Sequence, residues 1–590
     1  LSAPRGTLEM GGAFHSNATH CGNQFIHNNG EVEFDGSGNR NLHGGGNNNG
    51  TVFYNLTQNN DTDAIDAYER YTVVNKLTNK ASAVWYQNNG SYVYIGEVGT
   101  NGEMEVNGTW NFSSGTNTSK ITGLNTNAGG AALIDWNGTM ANGGVKTIEL
   151  DNINVDSTDS SPFTTAGDSD ITFQLTGDCE FDAVTVSSGD TLDLNGQRME
   201  CSGHFLNSGT TNYGGAGSML IASTFAIDGY SDEEAGAALI VTGGSADSNN
   251  EFSDSEFVGD ATSNIFVNNG TTSVNWLGSS HYNGNLICGS PFVSQHATNN
   301  KCASLTVPTG GTLDGDNDIL TVAGDFTTSG GLIGKSAYDF DGASSSGGNI
   351  NCGSDSSIDD IFDGGGTAEA WIRIDGDAAS GSGMRPFSKT NWFISIDNDV
   401  AGDVYKLRLY YFFSGDNGVW SSTSPVLSQD KWHHIAVTYN NGDVANDPLM
   451  YVDGKLVQVT ESAAPTVGGG SGRDSDAATS LFLGNSLDRD RTFNGCIAMA
   501  RLWSDIRDVD ELRTNMFDDF ASMTTPEKVG LVAMYQFDEG TGADLLNVAN
   551  EGTADGTITA GGSDWAGAGG FTEGSGASGS TLMMTLLKCR

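Results

Sequence analysis

"VTVSSGDTLDLNGQRMECSGHF", from Val184 to Phe205, has a counterpart in "LTVPTGGTLDGDNDILTVAGDF", from Leu305 to Phe326. Both segments contain a short alternating run, a turn, the triplet Thr-Leu-Asp and a second alternating run that ends in Gly-x-Phe. Apolar residues at every second position of a strand point to one side. One such unit cannot bury its apolar side alone, whereas stacked units bury it between successive coils. The repeat therefore predicts a β-helix or β-solenoid over roughly residues 15–335.

A second pair of similar segments extends this prediction toward the N-terminus. "FIHNNGEVEFDGSG" starts at Phe25 and "FVNNGTTSVNWLGSS" starts at Phe266. Together with "TVFYNLTQNN", these segments resemble the strand-turn repeats of phage fibre and bacterial adhesin proteins. The resemblance implies an extended surface protein and no particular chemistry. We divide this part into residues 1–165, which form an attachment region or the first coils, and residues 166–335, which form further solenoid repeats.

The composition favours an all-β protein. The chain of 590 residues contains 82 Gly and only 9 Pro, and its apolar residues occur in short alternating runs. Such runs between Gly, Asn and Asp clusters are typical of short strands joined by tight turns. One helix is predicted, from Ser504 to Met523, because Ile506, Val509 and Leu512 are spaced for one helical face.

The charge excludes one class of partner. The chain has 26 basic and 73 acidic residues, which gives a formal net charge of -47. Such a surface repels phosphate backbones, so we expect no nucleic-acid binding. It suits a medium rich in salt or calcium, where ions screen self-repulsion. No apolar run approaches the ~20 residues that a transmembrane helix needs, so we expect no membrane span.

A different series of motifs begins after the repeats. It includes "YDFDG" at 338–342, "GTAEAWIRI" at 366–374, "KWHHIAVTY" at 431–439, "MYVDGKLV" at 450–457 and "LVAMYQFDEGTGADLLNVAN" at 531–550. This order resembles a laminin-G-like, concanavalin-type (pentraxin-related) jelly-roll domain over residues 336–566. The resemblance implies an antiparallel two-sheet sandwich that binds glycans or proteins, often with calcium. Residues 567–590 are predicted to form a Gly/Ser linker and an apolar C-terminal tip that docks on another surface, for example a neighbouring subunit.

Two adjacent histidines in this domain, His433 and His434, are predicted to be structural. Successive side chains of a strand point to opposite faces, so the two rings cannot chelate one ion. The polar turn that follows, and the Asp-Gly pair at 453–454 in the returning strand, indicate a hairpin in a sheet.

Calcium is the one cofactor that the resemblance suggests. Asp339, Asp341 and Asp538 lie in the terminal strands of the domain, and Asp488 and Asp490 lie in the loop before "FNGCIAMA". Carboxylate oxygens gathered from several loops are what calcium needs. A solvated acidic edge explains the same residues equally well.

Four aromatic residues are candidates for a glycan site: Trp392, Tyr410, Tyr411 and Trp420. An exposed aromatic ring offers a flat apolar face on which a sugar ring can stack. The alternative is that these residues belong to the core of the sandwich.

The eight cysteines contain no Cys-x-x-Cys pair, which argues against a zinc ribbon or a thioredoxin-type site. Cys179 with Cys201 and Cys288 with Cys302 are disulfide candidates because the members of each pair are close in sequence. Free buried cysteines are the alternative.

These observations predict a non-enzymatic virion surface protein, such as a phage fibre, spike or capsid-decoration subunit. We expect it to form homo-oligomers and to contact host glycans or neighbouring surface proteins. One alternative is a bacterial surface adhesin or filament subunit. Another is a tailspike-type polysaccharide depolymerase with its site on the solenoid. The expected location is the virion surface or the extracellular space.

Overall fold

The computed structural model describes part of the chain. The described residues are 5–15, 27–35, 40–43, 51–59, 64–81, 83–87, 91–97, 101–112, 119–124, 131–136, 139–142, 146–156, 163–164, 171–214, 217–227, 230–233, 238–241, 251–252, 257–259, 264–267, 275–276, 285–288, 292–293, 300–302, 304–308, 313–314, 319–322, 326–330, 337–377, 383–397, 403–467, 474–477, 479–566 and 582–585. The chain divides into two compact units, residues 1–263 with 275–282, and residues 264–274 with 283–590.

The first unit is a parallel β-solenoid with three faces. The strands of its first face are Thr7–Met10, Glu31–Phe34, Thr51–Gln58, Arg70–Asn79, Glu103–Val106, Ala132–Trp136, Ile153–Asp156, Cys179–Phe181, Arg198–Asn207, Met219–Ile227 and Ala238–Val241. Two of these strands, Thr51–Gln58 and Arg70–Asn79, are long enough to belong to two faces, and their N-terminal parts start the second face. The second face continues with Tyr92–Ile95, Ser119–Gly123, Lys146–Asp151, Ile171–Leu175, Thr191–Asp193, Thr210–Asn212, Tyr230–Glu233 and Phe257–Gly259. The third face contains two ladders. The first is a separate six-stranded sheet of Phe14–His15, Arg40–His43, Ala64–Tyr68, Val84–Gln87, Thr109–Phe112 and Thr139–Asn142. The second contains Phe163–Thr164, Val184–Val186, parts of Arg198–Asn207 and Met219–Ile227, Glu251–Phe252 and Asn275–Trp276.

The interior of this solenoid is filled by ladders of apolar side chains from successive coils. Trp85 and Trp110 are both fully buried, and their rings stack at 5.1 Å with planes 5° apart. Corners between faces need special backbone conformations: Asn195 and Gly196 both have positive φ, at 50° and 79°. Asn and Gly tolerate this region best, which explains why "DLNGQ" marks a corner.

The second unit contains further parallel coils, followed by a sandwich. The coil strands are Asn264–Val267, Asn285–Cys288, Phe292–Val293, Asn300–Cys302, Ser304–Pro308, Leu313–Asp314, Ile319–Val322 and Phe326–Gly330. The C-terminal strand Leu582–Thr585 pairs antiparallel with Ile319–Val322. The apolar C-terminal tip, predicted to dock on another surface such as a neighbouring subunit, therefore pairs with a coil of its own chain.

The sandwich consists of an eight-stranded and a ten-stranded antiparallel sheet. The eight-stranded sheet contains Lys455–Val457, Leu449–Val452, Trp432–Tyr439, Gly366–Ile374, Asn494–Trp503, Ala337–Asp341 and Asp564–Ala566 in that order, with Leu531–Tyr535 also paired to Asn494–Trp503. The ten-stranded sheet contains Val459–Ala463, Gly418–Ser422, Val404–Tyr411, Trp392–Asp397, Met384–Ser388, Phe482–Leu483, Asn349–Asn351, Gly556–Thr559 and Asp544–Leu545 in that order, with Leu427–Ser428 paired to Val404–Tyr411. One continuous apolar core lies between the sheets.

The prediction of an all-β protein, with solenoid coils before an antiparallel sandwich, is confirmed. The helix predicted from Ser504 to Met523 is much shorter in the structure, where it spans only Val509–Asn515. Asp508 caps its first turn, and the residues after Asn515 form turns instead of continuing the helix. On the first face the ladder continues past residue 165, since Ile153–Asp156 pairs directly with Cys179–Phe181, and the division at residue 165 stays a prediction. Among the described residues, no helix is long and apolar enough to cross a membrane.

Candidate functional site

The outer face of the ten-stranded sheet carries a row of aromatic side chains. Strand Val404–Tyr411 alternates between half-buried and fully buried residues, so every second side chain points away from the core. Phe393 lies opposite Tyr410 in the register, and their rings stack at 4.9 Å with planes 11° apart. Phe412 follows at 5.0 Å from Tyr410, tilted by 48°. We name Phe393, Tyr410, Phe412 and the guanidinium of Arg385 the aromatic platform.

Arg385 completes the platform at one end. Its guanidinium carbon lies 3.6 Å from the centre of the Phe393 ring, which is the geometry of a cation–π contact. Burial, together with the smaller effect of the nearby positive charge of Arg491, lowers the pKa of Arg385 to about 10. The cation–π contact between Phe393 and Arg385 holds the ring and the guanidinium in a fixed orientation next to solvent.

Polar groups border the aromatic row. Asn417 donates a hydrogen bond of 3.1 Å to the hydroxyl oxygen of Tyr410, so the hydroxyl proton itself can be donated to a ligand. On the same face, Arg408 forms an ion pair with Asp397 and donates from Nε to Ser421 at 2.9 Å. Partly exposed rings beside fixed donors and acceptors match the two sides of a sugar, which has apolar C–H surfaces and polar hydroxyls.

A buried network supports the platform from below. Trp392, next to Phe393 in the strand, points into the core and donates from its indole nitrogen to Asp476 at 2.7 Å. Lys389 has a fully buried side chain and pairs with Asp476 at 2.7 Å and with Asp359 at 2.8 Å. These contacts hold strand Trp392–Asp397 in place, and Phe393, the next residue of that strand, points to the solvent side.

Of the four predicted sugar-stacking residues, the structure leaves only Tyr410 partly exposed. Trp392, Tyr411 and Trp420 each have 0% exposure and pack in the core, where no ligand can reach them. This corrects the glycan-stacking prediction for these three residues. The period of two in "LRLYYFF" contains the missing signal: Leu407, Leu409 and Tyr411 share one face, and Arg408, Tyr410 and Phe412 share the other.

The five predicted calcium ligands do not converge. Among the described residues, no three of Asp339, Asp341, Asp488, Asp490 and Asp538 have ligand atoms within 4.8 Å of one another. Both carboxylate oxygens of Asp341 accept backbone N–H groups, from Ala343 and Gly562.

The remaining predicted ligands are scattered. Asp488 is exposed, Asp490 accepts from the Ser486 hydroxyl, and Asp538 accepts from Gln536. Calcium binding by the chain stays a prediction, but these five residues do not form one site.

One group with metal-ligand geometry does occur in the described part of the chain: Asp339, Asp375 and Cys496, whose ligand atoms lie within 4.8 Å of one another. Burial raises the pKa of Asp339, and it raises the pKa of Asp375 to about 6 although Arg373 lies 3.1 Å from that carboxylate. Burial also raises the pKa of the Cys496 thiol. Calcium prefers hard oxygen ligands, and Arg373 already supplies a positive charge, so this group does not fit calcium.

The two adjacent histidines point to opposite faces, as predicted. His433 lies 2.7 Å from Asp453. The Nε2 atom of His434 lies 3.1 Å from the fully buried Glu369, which also pairs with Arg501 at 3.2 Å. Burial alone would raise the pKa of Glu369, but the charge of Arg501 and the hydrogen bond from His434 outweigh burial and hold the pKa at about 2.

Cys179 and Cys201 are free and buried, which corrects their predicted pairing. Cys179 lies beside Met199 and Cys201 lies beside Phe181, so the two cysteines are offset by two residues across neighbouring strands. That offset separates their Cα atoms by roughly 8 Å, beyond disulfide reach. The side chains of Cys288 and Cys302 lie outside the described residues, and their pairing stays a prediction.

Comparison with known families identifies the sandwich. Residues 345–513 match the model of the concanavalin A-like lectin/glucanases superfamily. The predicted laminin-G-like domain is confirmed. No curated protein matches the chain.

Several solved structures are similar at low identity. A Bacteroides ovatus protein described as carbohydrate-binding is 20% identical over 39% of this chain and 60% of its own, with a TM-score of 0.29. The chain thus spans less than two thirds of that protein's length. The sialidase CBM40 of Ruminococcus gnavus is 14% identical over 28% of this chain and 91% of its own, with a TM-score of 0.20. The enzymatically active domain of tailspike protein 2 from bacteriophage CBA120 is 11% identical over 91% of this chain and 83% of its own, with a TM-score of 0.28. All these TM-scores are below 0.5, so none of the likenesses identifies a shared function.

Proposed function

We propose that this chain is a structural protein of a virion surface, such as a phage fibre, spike or decoration subunit, that binds host glycans through the aromatic platform. The observation that carries the proposal is the row of Phe393, Tyr410 and Phe412 on the outer face of the ten-stranded sheet, with polar donors at its edge. The match of residues 345–513 to the concanavalin A-like lectin/glucanases superfamily supports this proposal. Weak sites repeated on one particle gain avidity by orders of magnitude, and we propose that the chain self-associates to provide them.

The test is glycan binding by the full chain and by variants of the platform. Phe393→Ala and Tyr410→Ala are expected to weaken binding at least tenfold, because each removes a ring surface that would contact the sugar. Phe520→Ala is the matched control, since Phe520 is a half-buried ring with a cation, Lys528, 4.1 Å from its centre elsewhere in the sandwich. Equal losses in all three variants would mean that binding does not use the platform.

The same assay with calcium and then with a chelator tests the calcium expectation. Co-purification with virions rather than with cell envelopes separates a virion protein from a bacterial adhesin or filament subunit.

A specific observation supports polysaccharide cleavage as a second candidate function. Glu180 and Glu200 lie directly opposite each other on adjacent coils of the first face, and both are half-buried. Neighbouring strands are about 4.8 Å apart, and retaining glycosidases hold two carboxyl groups about 5–5.5 Å apart. Asn154 donates to Glu180 at 3.2 Å and Arg198 pairs with Glu200 at 2.8 Å.

Release of reducing sugar from a panel of bacterial capsules tests this candidate. Activity that disappears in Glu180→Gln and Glu200→Gln, and persists in Glu103→Gln on the same face, would support cleavage at this pair. Inactivity of the unaltered chain across the panel would count against it.

A further inference from the structure

Three of the chain's few basic residues lie close together at the aromatic platform. The chain has only 26 basic residues against 73 acidic ones, yet Arg385, Arg408 and Arg491 all lie at or beside the platform. Arg408 is neutralised by Asp397, and Arg491 has Asp490 at 3.3 Å. These two guanidinium groups therefore already have carboxylate partners.

Arg385 differs from its two neighbours. Within the described part of the chain it has no carboxylate at ion-pair distance, and its side chain makes one long hydrogen bond of 3.4 Å, to Ser388. It is half-buried, so part of its hydration is lost. The lowered pKa of Arg385 has burial as its main cause and the repulsion from Arg491 as its second. Asp490 and Asp488 attract this charge only from beyond ion-pair distance, so Arg385 is a partly desolvated cation with no carboxylate in contact, which favours an anionic ligand.

The geometry of the stack determines which anion fits. The guanidinium carbon lies 3.6 Å from the centre of the Phe393 ring, which leaves room for the group only when it stacks on the ring. A stacked guanidinium directs its N–H groups outward in its own plane, where they form a fork for a planar carboxylate. In uronic and sialic acids the carboxylate is attached directly to the sugar ring. One ligand residue can therefore contact the rings of the platform while its carboxylate reaches Arg385.

We infer that the platform recognises an acidic glycan, with Arg385 binding the carboxylate of a uronic or sialic acid residue. This inference rests on the proposed glycan-binding function and adds its substrate class. The strongly negative field of the whole chain makes the site selective, because an anion without a matching ring contact is repelled.

The experiment uses the full chain and pairs of ligands that differ only in charge. One pair is a polyuronate and its carboxyl-reduced derivative, and the other is a sialylated oligosaccharide and its desialylated form. We expect at least one acidic ligand to bind about tenfold or more tightly than its neutral counterpart, measured at one fixed salt concentration because salt screens both the contact with Arg385 and the repulsion from the acidic chain. Arg385→Gln should abolish this difference, and Arg385→Lys should restore only part of it, since lysine keeps the charge without the planar fork.

Lys528→Gln is the control, because Lys528 lies 4.1 Å from the centre of the Phe520 ring in a comparable cation–π pair. Equal affinity for acidic and neutral forms would overturn the acidic-glycan inference and leave the proposed glycan binding intact. Binding to none of the four ligands, together with a blank neutral-glycan array, would overturn both. Binding to a sulfated polysaccharide, tested as a fifth ligand, without binding to either carboxylated ligand would also overturn the inference. An unchanged melting temperature of Arg385→Gln shows that any loss of binding is local.

Discussion

The substitution Glu369→Gln should destabilise the sandwich by about 3–5 kcal/mol. It removes one negative charge at nearly constant volume, so the cost comes from the charges left behind and not from a cavity. Glu369, His434 and Arg501 have side chains that are at most 1% exposed. Breaking a buried ion pair by removing one partner typically costs about 3–5 kcal/mol, because the remaining charge is uncompensated. The lowered pKa of Glu369, about 2 instead of 4.5, gives a similar figure of roughly 3 kcal/mol.

The assay is urea unfolding followed by tryptophan fluorescence. Trp503, which donates to Glu369 at 2.9 Å, is one of the 10 tryptophans of the chain that contribute to this emission. Since the folded-state pKa is depressed, the stabilisation is present above about pH 4.5 and is lost as pH falls toward 2. The difference between the unaltered chain and the variant should therefore shrink over that interval.

Two further variants make this reasoning refutable. Asp430→Asn removes a charge from a surface pair with Arg373, at 3.6 Å and with 55% of the Asp430 side chain exposed, and should cost under about 1 kcal/mol. Glu369→Gln combined with Arg501→Met leaves no unpaired buried charge from that ion pair, keeps a side-chain acceptor for Trp503, and should cost less than Glu369→Gln alone. A loss below about 1 kcal/mol for Glu369→Gln, or an equal loss in the double variant, would refute the description of this network.

Three other substitutions test separate parts of the fold. Trp110→Ala should cost about 3–5 kcal/mol in the solenoid, measured by urea unfolding, because it leaves a cavity beside Trp85. Asp375→Asn should raise stability by about 1 kcal/mol at pH 7 and by much less at pH 4, in unfolding measured at both values. Burial raises the pKa of this carboxyl from 3.8 to about 6 in the folded state, so the unaltered chain loses stability as pH rises from about 4 to 6, and the loss is complete at pH 7. Gly484→Ala should cost more than about 2 kcal/mol in thermal unfolding, since φ is +72° and the added Cβ would lie 2.0 Å from the Phe340 ring.

Each of these three predictions has a control substitution or a contrary outcome that tests it. Tyr92→Ala, at a half-buried outward position, should cost less than Trp110→Ala. A loss of stability for Asp375→Asn at pH 7 would mean that the ion pair with Arg373 outweighs burial. Gly353→Ala has a similar φ of +71° but no atom within 4 Å of the added Cβ, so it isolates the backbone cost of about 1–2 kcal/mol.

The sequence contained enough information to predict both architectures but not the composition of the site. Alternation and repeats specify the strands, and the motif order specifies the sandwich. The position of a residue relative to the alternation decides between core and surface, and this separates Tyr410 from Tyr411 although they are neighbours. Arg385 and Phe393 are adjacent only through strand pairing, which the sequence does not state.

The calcium residues show a second limit of the sequence. Motif order placed Asp339 correctly in a terminal strand, yet the groups beside it, Asp375 and Cys496, come from strands 36 and 157 positions further along the chain. Spacing along the chain carries no information about such cross-strand neighbours. The register of the sheet determines them, and the structure alone supplies the register.

The solenoid and the sandwich differ in how early their strands can pair while the chain is being synthesised. In the solenoid, Cys179 pairs with Met199, so each new coil meets its partner soon after it leaves the ribosome. In the sandwich, Ala337 pairs with Ala566, so the first strand of the domain can pair with this partner only after almost the whole domain has been synthesised. Non-local pairing of this kind slows folding and leaves apolar surface exposed meanwhile. A nascent chain should therefore acquire protease-resistant coils well before the sandwich, and a host that overproduces the protein should lose it mainly at that late step.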